Sequence, residues 1–515
     1  MRRWLPLLTI CIGTFMLLID VTIVNVALPR MVTDLHASFG ALQWVVDAYA
    51  LTLAALLMGV GSVADLVGHR RAYIAGLAVF ALSSFACGIA PTSGALIAAR
   101  VVQGAGAAAM FATTFALLNS SYAGRDRGTA FGIWGAVTGA SAAIGPVLGG
   151  LLTEGLSWRW IFFVNLPASV AAIALCAFAL SDVHAPIRRR VDLPGLVAFS
   201  GAAAFATYAL IRANERGWSN ALTWWMLALA AVLLVAFVAI EARTEQPLID
   251  LELLRGRRFV GVLLGGLLLP FAAFATFTYT SIWLQSVIGL SPIQAGFTGL
   301  PLSLSAFAVS ATVSRHLHAR RADRVIGGGL VLIGLGGVAG TALVHGSASW
   351  PALVPGYMLI GIGVGIATPI LGSVAMALVP PQRGGMAAGA VNTMRQLGFA
   401  FGIAALGSVF AARAASVLTD HSVPAAGAMS RAVAGGQAQA LLGAAPAGAR
   451  GALDGAVHAA AVGGVQASFA VSAVVGLAAA ALVLTLMRPA PAPATAPAHE
   501  PHLAEGAAVA EPVRD

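Results

Sequence analysis

The chain has 515 residues, 59% of them apolar and only 10% charged, with a formal net charge of +9. A soluble domain averages roughly 25% charged residues, so these figures exclude a soluble protein with a single anchor and point to an all-α polytopic membrane protein. The positive excess does not mark a nucleic-acid binder, because it sits in short loops between apolar runs, where membrane topology requires it.

Fourteen spans are expected. The first six are roughly 5–29, 42–64, 73–91, 94–118, 129–153 and 160–181; two more follow at 193–212 and 221–241; the last six are 259–288, 293–314, 325–345, 352–379, 386–411 and 462–487. The first run follows Met1-Arg2-Arg3 as a secretion signal would, but it is too long and shows no small-x-small cleavage site before Pro29, so it reads as a retained span. All 29 basic residues are arginine. With the N-terminus inside, 20 of them fall in inner segments and 7 in outer ones, while Arg100 and Arg395 lie within spans. That bias places both termini in the cytoplasm.

The expected organisation is an N-terminal six-helix bundle over 5–181, two inserted helices over 193–241 and a C-terminal six-helix bundle over 259–487. An outer segment at about 412–461, rich in Ala and Gly, reads as a flexible or weakly helical loop, and the Pro/Ala-rich tail 488–515 as disordered. Gly61–Leu82 and Val313–Leu335 form a weak repeat, each a basic loop leading into a Gly-rich span. Two repeated halves with a site between them is a transporter plan. Cys11, Cys87 and Cys176 all lie in apolar runs without disulfide or metal spacing.

Few residues in the spans carry chemistry. The stretch "FMLLIDVTIVNVALP" holds Asp20 and Asn25 among aliphatic neighbours, and Asp47 lies one to two turns inside the second span. Desolvation disfavours the charged form of a buried acid, which makes both carboxylates candidates to take up and release protons. The loop after the second span reads Gly61-Ser62-Val63-Ala64-Asp65-Leu66-Val67-Gly68-His69-Arg70-Arg71. Its two glycines allow close helix approach and a tight turn. Asp65 can face a helix N-terminus or an arginine across a gate; the bland alternative is a topogenic basic loop. In the fourth span, Arg100 and Gln103 are one turn apart and share a face. An arginine there is costly and needs an acid, carbonyls or a wet cavity, unless it snorkels to the surface. In the fifth span, Gly145-Pro146-x-x-Gly149-Gly150 describes a bent, close-packed helix able to act as a pivot.

The ninth span carries Pro270 and the aromatics Phe271, Phe274, Phe277, Tyr279 and Trp283. An aromatic, lightly charged cavity would suit amphipathic or cationic hydrophobic compounds, although for any single ring packing is the commoner role. Phe277, Tyr279, Gln285, Asn392, Arg395 and Gln396, with Asn25 and Gln103, are the candidate substrate contacts. No nucleophile–base pair, phosphate loop, cofactor motif or metal-ligand spacing is visible, and His316-x-His318 lies in a basic loop. The expected partners are a small-molecule substrate, protons and the lipid bilayer, with no nucleic acid, nucleotide, cofactor or metal, and the chain is read as a monomer.

Several of these motifs carry a resemblance. The 61–71 loop resembles the inner-loop signature of the major facilitator superfamily, with departures at Leu66 and His69, where the family usually has basic residues. The R-x-x-Q-G-x-G of the fourth span is similar to that family's fourth-span motif, whose arginine is associated with proton coupling. The G-P-x-x-G-G of the fifth resembles the motif typical of its exporters, with Ser141 where Gly is frequent. "WRWIFFVNLP", "LIDVTIVNVALP", "QWVVDAYAL", "LQSVIGLSPIQAGFTGLP" and "RGGMAAGAVNTMRQLG" closely resemble the fourteen-span drug:proton antiporter family, in the right order from about residue 7 to 411. The resemblance implies the major facilitator fold and export of drugs or antibiotics from a bacterial cytoplasmic membrane, with Asp20 as coupling carboxylate, Arg100 tuning it and Asp47 as accessory site. Transport of a native metabolite is the alternative; a receptor, a scaffold and an enzyme fit less well.

Overall fold

The computed structural model describes residues 2–36, 39–180, 192–216, 218–244, 247, 249, 251–312, 321–346, 349–380, 383–446 and 448–488. Among the described residues all regular structure is helical. The first helices are α1 (Leu5–Asp34), α2 (Phe39–Val67), α3 (His69–Gly88), α4 (Ser93–Ser121), α5 (Gly124–Gly155), α6 (Trp160–Phe163) and α7 (Asn165–Ala179). There follow α8 (Leu193–Arg216), α9 (Ala221–Glu241), α10 (Leu251–Arg255), α11 (Arg257–Ala273) and α12 (Ala275–Ser286). The last are α13 (Pro292–Thr298), α14 (Leu300–Thr312), α15 (Ala322–Leu343), α16 (Val354–Ala377), α17 (Gly384–Asp420), α18 (Ala426–Ala434), α19 (Ala438–Ala444) and α20 (Arg450–Leu486).

Helix ends carry ordinary start signals. Pro6 sits in the first turn of α1, where its missing N–H costs nothing. Thr92 caps α4 and Asn220 caps α9 through side-chain oxygens. Ser291 and Gln294 form a reciprocal capping box that starts α13. Pro270 lies inside α11, and the helix breaks four residues later at Phe274, so the long ninth expected span is two helices.

Among the described residues eleven helices are long and apolar enough to cross a membrane, or up to twelve if a bent pair within α2 is one span. Two expected spans, the fifth and the tenth, fall on α5 and on the broken pair α13–α14, outside that set. The chain is thus a multi-pass helical membrane protein.

Helices α1 to α5 and α7 pack on one another, with α1 against α5 and α7 and α4 against α2 and α3. A second group brings α11 against α17 and α20, and α15 against α16 and α20. The groups meet where α17 packs on α2 and α4 and where α5 packs on α13, α14 and α16. Helices α8 and α9 pair with each other, and α8 leans on α2 and α17. α9 exposes Trp224, Trp225, Val232 and Val235, as a lipid-facing helix does.

The 412–461 segment, expected to be flexible or weakly helical, is largely helical: α17 continues to Asp420, α20 begins at Arg450, and α18 and α19 lie between them. α18 packs against both long helices with Val433 fully buried, and Ala438 at the start of α19 is fully buried as well. Alanine has the highest helix propensity, so an Ala-rich sequence without aromatics forms helix once it has a surface to pack on. At 37 residues each, α17 and α20 are about 55 Å long at 1.5 Å per residue, longer than a bilayer core. The expected tail beyond Arg488 lies outside the described residues, as do Arg188–Arg190, His316 and His318.

Candidate functional site

Asp20 and Arg100 meet in the interior. Both are fully buried, and Arg100 Nη1 forms an ion pair with Asp20 Oδ2 between α1 and α4. The same Nη1 donates to Gln103 Oε1 at 2.9 Å, and Gln103 Nε2 donates to Asp20 Oδ1 at 3.1 Å. The one-turn spacing of Arg100 and Gln103 therefore lets them embrace one carboxylate. Arg100 Nε donates to the Val45 carbonyl at 2.8 Å, and the guanidinium lies 4.2 Å from the centre of the Tyr49 ring. Arg100 thus has an acid, a carbonyl and a π face, and it does not snorkel outward. Its Nη2 is buried with no hydrogen-bond partner among the described residues.

Asn165 completes the shell. Its Nδ2 donates to Asp20 Oδ1 at 3.2 Å and to Ser84 Oγ at 3.2 Å, and Ser84 donates to the Phe162 carbonyl. This accounts chemically for "WRWIFFVN": Trp158 Nε1 donates to Asp34 at one end of α1, and Asn165 reaches Asp20 further along it. In the sequence this string stands out only for its resemblance, and the amide is not among the candidate residues. A lone Asn in an apolar run was the available signal.

Asp47 is half-buried on α2, two residues from both Val45 and Tyr49. A two-residue step is about 200° of helical turn, so Asp47 projects from the face of α2 turned away from Arg100. Gln103, a candidate substrate contact, is instead fully buried and bonded within the carboxylate network. The side chain of Asn25 lies outside the described residues.

The Asp65 end of α2 bonds across the seam between the helix groups. Asp65 Oδ2 accepts the backbone N–H of Met386, in the first turn of α17, at 3.0 Å, and His69 Nε2 lies 3.3 Å from Asp65 Oδ1. A carboxylate at a helix N-terminus meets free N–H groups and the positive end of the helix dipole. Gly61 is buried within α2, and Gly68 takes φ +97° to turn the chain between α2 and α3, a conformation that favours glycine. Arg70 donates to the Ala177 carbonyl at the end of α7 at 2.9 Å, while Arg71 is exposed. Replacing a capping Asp with Ala costs about 0.5–2 kcal/mol, so Asp65→Ala is expected to open this seam about two- to thirtyfold more often. The check is the maleimide labelling rate of Met386→Cys with and without the Asp65 change, since the three native cysteines are buried. An unchanged rate means the bond does not hold the seam.

Gly145 and Gly149 face α1. A Cβ on Gly145 would lie 1.8 Å from Thr22 Oγ1, and one on Gly149 would lie 2.8 Å from the Ile23 carbonyl. Gly150 faces Ile293 of α13 instead. The Pro146 side chain lies outside the described residues.

The remaining candidates are spread over α12 and α17. Tyr279 is 1% exposed, donates to the Ile403 carbonyl and stacks on Phe410, so its described contacts join α12 to α17. Phe277 packs near Tyr357, and Gln285 bonds Ser281 on its own helix. Asn392 is fully buried and donates to the Phe111 carbonyl of α4 at 3.1 Å. Arg395, one turn on, lies over the rings of Phe111 and Trp134. Gln396 is half-buried beside it.

The sequence profile of the Major Facilitator Superfamily matches residues 10–403. The chain belongs to this superfamily. It is accordingly a transporter and not an enzyme. It is 35% identical to the puromycin resistance protein pur8 of Streptomyces alboniger, over 84% of this chain and 87% of that one. It is 36% identical to the multidrug resistance protein Stp of Mycobacterium tuberculosis strain H37Rv, over 81% and 78%. It is 32% identical to the tetracenomycin C resistance and export protein of Streptomyces glaucescens, over 81% and 78%. Among solved structures, the human organic anion transporter MFSD10 shares the fold at a TM-score of 0.61 and 14% identity, over 93% of this chain and 99% of that one.

Proposed function

We propose that this superfamily member is a proton-coupled antiporter that exports drugs, antibiotics or other amphipathic small molecules by alternating access. In this reading the chain has fourteen spans: the bundle 5–181, the inserted pair 193–241 and the bundle 259–487. It sits as a monomer in a bacterial cytoplasmic membrane with both termini inside. The observation that carries the reading is the buried Asp20–Arg100 pair, supported by relatives that are resistance and export proteins.

Asp20 Oδ2 serves one partner at a time. A proton arriving there competes with Arg100, and its departure restores the ion pair. Each exchange frees or binds a buried guanidinium, which is costly unless the surrounding helices shift to compensate. That shift is the link between protonation and the outward- or inward-open state. Asp65 on the N-terminus of α17 holds one of those states, Asp47 serves as an accessory proton or cation site, and the Gly145-Pro146-x-x-Gly149-Gly150 motif of α5 supplies the pivot.

The test is a toxicity panel in a host stripped of its own efflux pumps, with and without an uncoupler. Expression raises tolerance to at least one antibiotic, and the uncoupler removes the gain. Unchanged tolerance across the panel would favour transport of a native metabolite.

A further inference from the structure

Arg395 is a cation within the long apolar helix α17. Among the described residues it has no ion pair, and its Nη1 is buried without a hydrogen-bond partner. The contrast with Arg100, which holds Asp20, is direct. Within its own half, from 259 to 411, the sole acid is Asp323, in the first turn of α15, where Arg321 pairs with it at 2.7 Å. Asp65 meets α17 at Met386, at least two turns below Arg395.

What Arg395 has instead is a cavity and an aromatic wall. Its guanidinium lies 5.8 Å from the centre of the Phe111 ring and 5.6 Å from that of Trp134. The same residue lines a small cavity with Phe115, Leu269, Thr368, Leu371 and Val391. Thr368 is 6% exposed, and its Oγ1 also lacks a hydrogen-bond partner among the described residues. Two residues with unsatisfied buried polar atoms, a cation and a hydroxyl, therefore flank one small apolar-walled space where α4, α11, α16 and α17 meet. Cation–π contact offsets part of the cost of a buried guanidinium but leaves its N–H donors unused. The space now holds roughly one water molecule, so a larger guest enters only as the helix groups part.

We infer that Arg395 and Thr368 form the anion-recognition point of the transport site, and that the substrates include aromatic organic acids carrying a carboxylate or phenolate. The guanidinium and hydroxyl take the acid group, and Phe111, Phe115 and Trp134 take the ring. This rests on the export reading and replaces the cationic preference that the aromatic composition of the ninth span implies.

The test compares two dyes with one xanthene skeleton and opposite charge: anionic fluorescein and cationic rhodamine 123. Binding to the purified full chain is followed by dye anisotropy. Wild type binds fluorescein more tightly. Arg395→Gln weakens fluorescein about tenfold or more, the loss of a charge-assisted hydrogen bond, and leaves rhodamine 123 unchanged. Arg395→Lys recovers part of the loss, and Thr368→Val, which keeps the side-chain volume, weakens fluorescein about threefold. Tighter binding of rhodamine 123 by wild type, or equal loss of both dyes in Arg395→Gln and Arg395→Lys, makes Arg395 a packing cation and overturns the inference. Fluorescein binding without proton-driven efflux from proteoliposomes would instead retire the export reading and leave the anion assignment standing.

Discussion

Asp20→Asn is expected to abolish proton-driven efflux in proteoliposomes while the protein remains folded. The carboxylate holds a guanidinium and two amide donors in a space with no solvent access. Asparagine keeps the volume and one acceptor oxygen, so the geometry survives, but the group no longer titrates. Arg100 then remains as a buried cation without its counter-ion. Removing one partner of a buried ion pair costs about 3–5 kcal/mol, and the remaining acceptors at Val45 and Gln103 keep the effect toward the low end. The double variant Asp20→Asn/Arg100→Gln removes both charges, and a neutral pair in place of a buried ion pair is often close to neutral in stability. It is therefore expected to recover most of the lost melting temperature and none of the transport. That split separates a coupling role from a packing one. Full proton-driven transport by Asp20→Asn, or restored transport in the double variant, would remove Asp20 from the mechanism.

The parts of this site that sequence exposes are those set by local period. Arg100 and Gln103 share a face because they are three residues apart, and an acid in span one demands a cation or donor somewhere. What sequence does not expose is which donor. Asn165 lies 145 residues from Asp20, and its role follows from the break between α6 and α7 that turns its amide inward. The same applies to Asp65: its position at a helix end is local, whereas the helix whose N-terminus it meets is 321 residues away. Tyr279 is a further case: the sequence does not show that its hydroxyl donates to the backbone of α17. How much of the 412–461 segment is helical is not legible in sequence, because alanine and glycine are ambiguous without knowledge of the surface they pack on.

Gly149→Ala is expected to cost more transport than any other single-methyl change in the fifth-span motif, and the reason lies in what its new Cβ would meet. The obstacle is the Ile23 carbonyl of α1, 2.8 Å away, with the Ile23 Cα close behind at 3.4 Å. Backbone inside a helix cannot rotate aside, so α1 must move. Asp20 lies on α1 one turn before Ile23, and Arg100 and Gln103 hold it from α4. A displacement of a few tenths of an ångström at Ile23 is thus passed to a carboxylate whose bonds depend on such distances. Overpacking of this kind costs about 1–3 kcal/mol, and here the cost falls on the contact between the pivot helix and the proton site. Gly145→Ala meets a side chain first: Thr22 Oγ1 at 1.8 Å and Thr22 Cβ at 2.8 Å, with the Ile23 backbone nitrogen behind them at 3.4 Å. Trimming Thr22 to alanine removes the nearer atom and leaves the farther one, so Gly145→Ala/Thr22→Ala should recover part of the activity. No change at Thr22 should rescue Gly149→Ala. Proton-driven efflux rates of the three variants, normalised to protein in the bilayer, decide it. Equal rescue of both glycine variants by Thr22→Ala would show that helix spacing at Ile23 does not govern coupling.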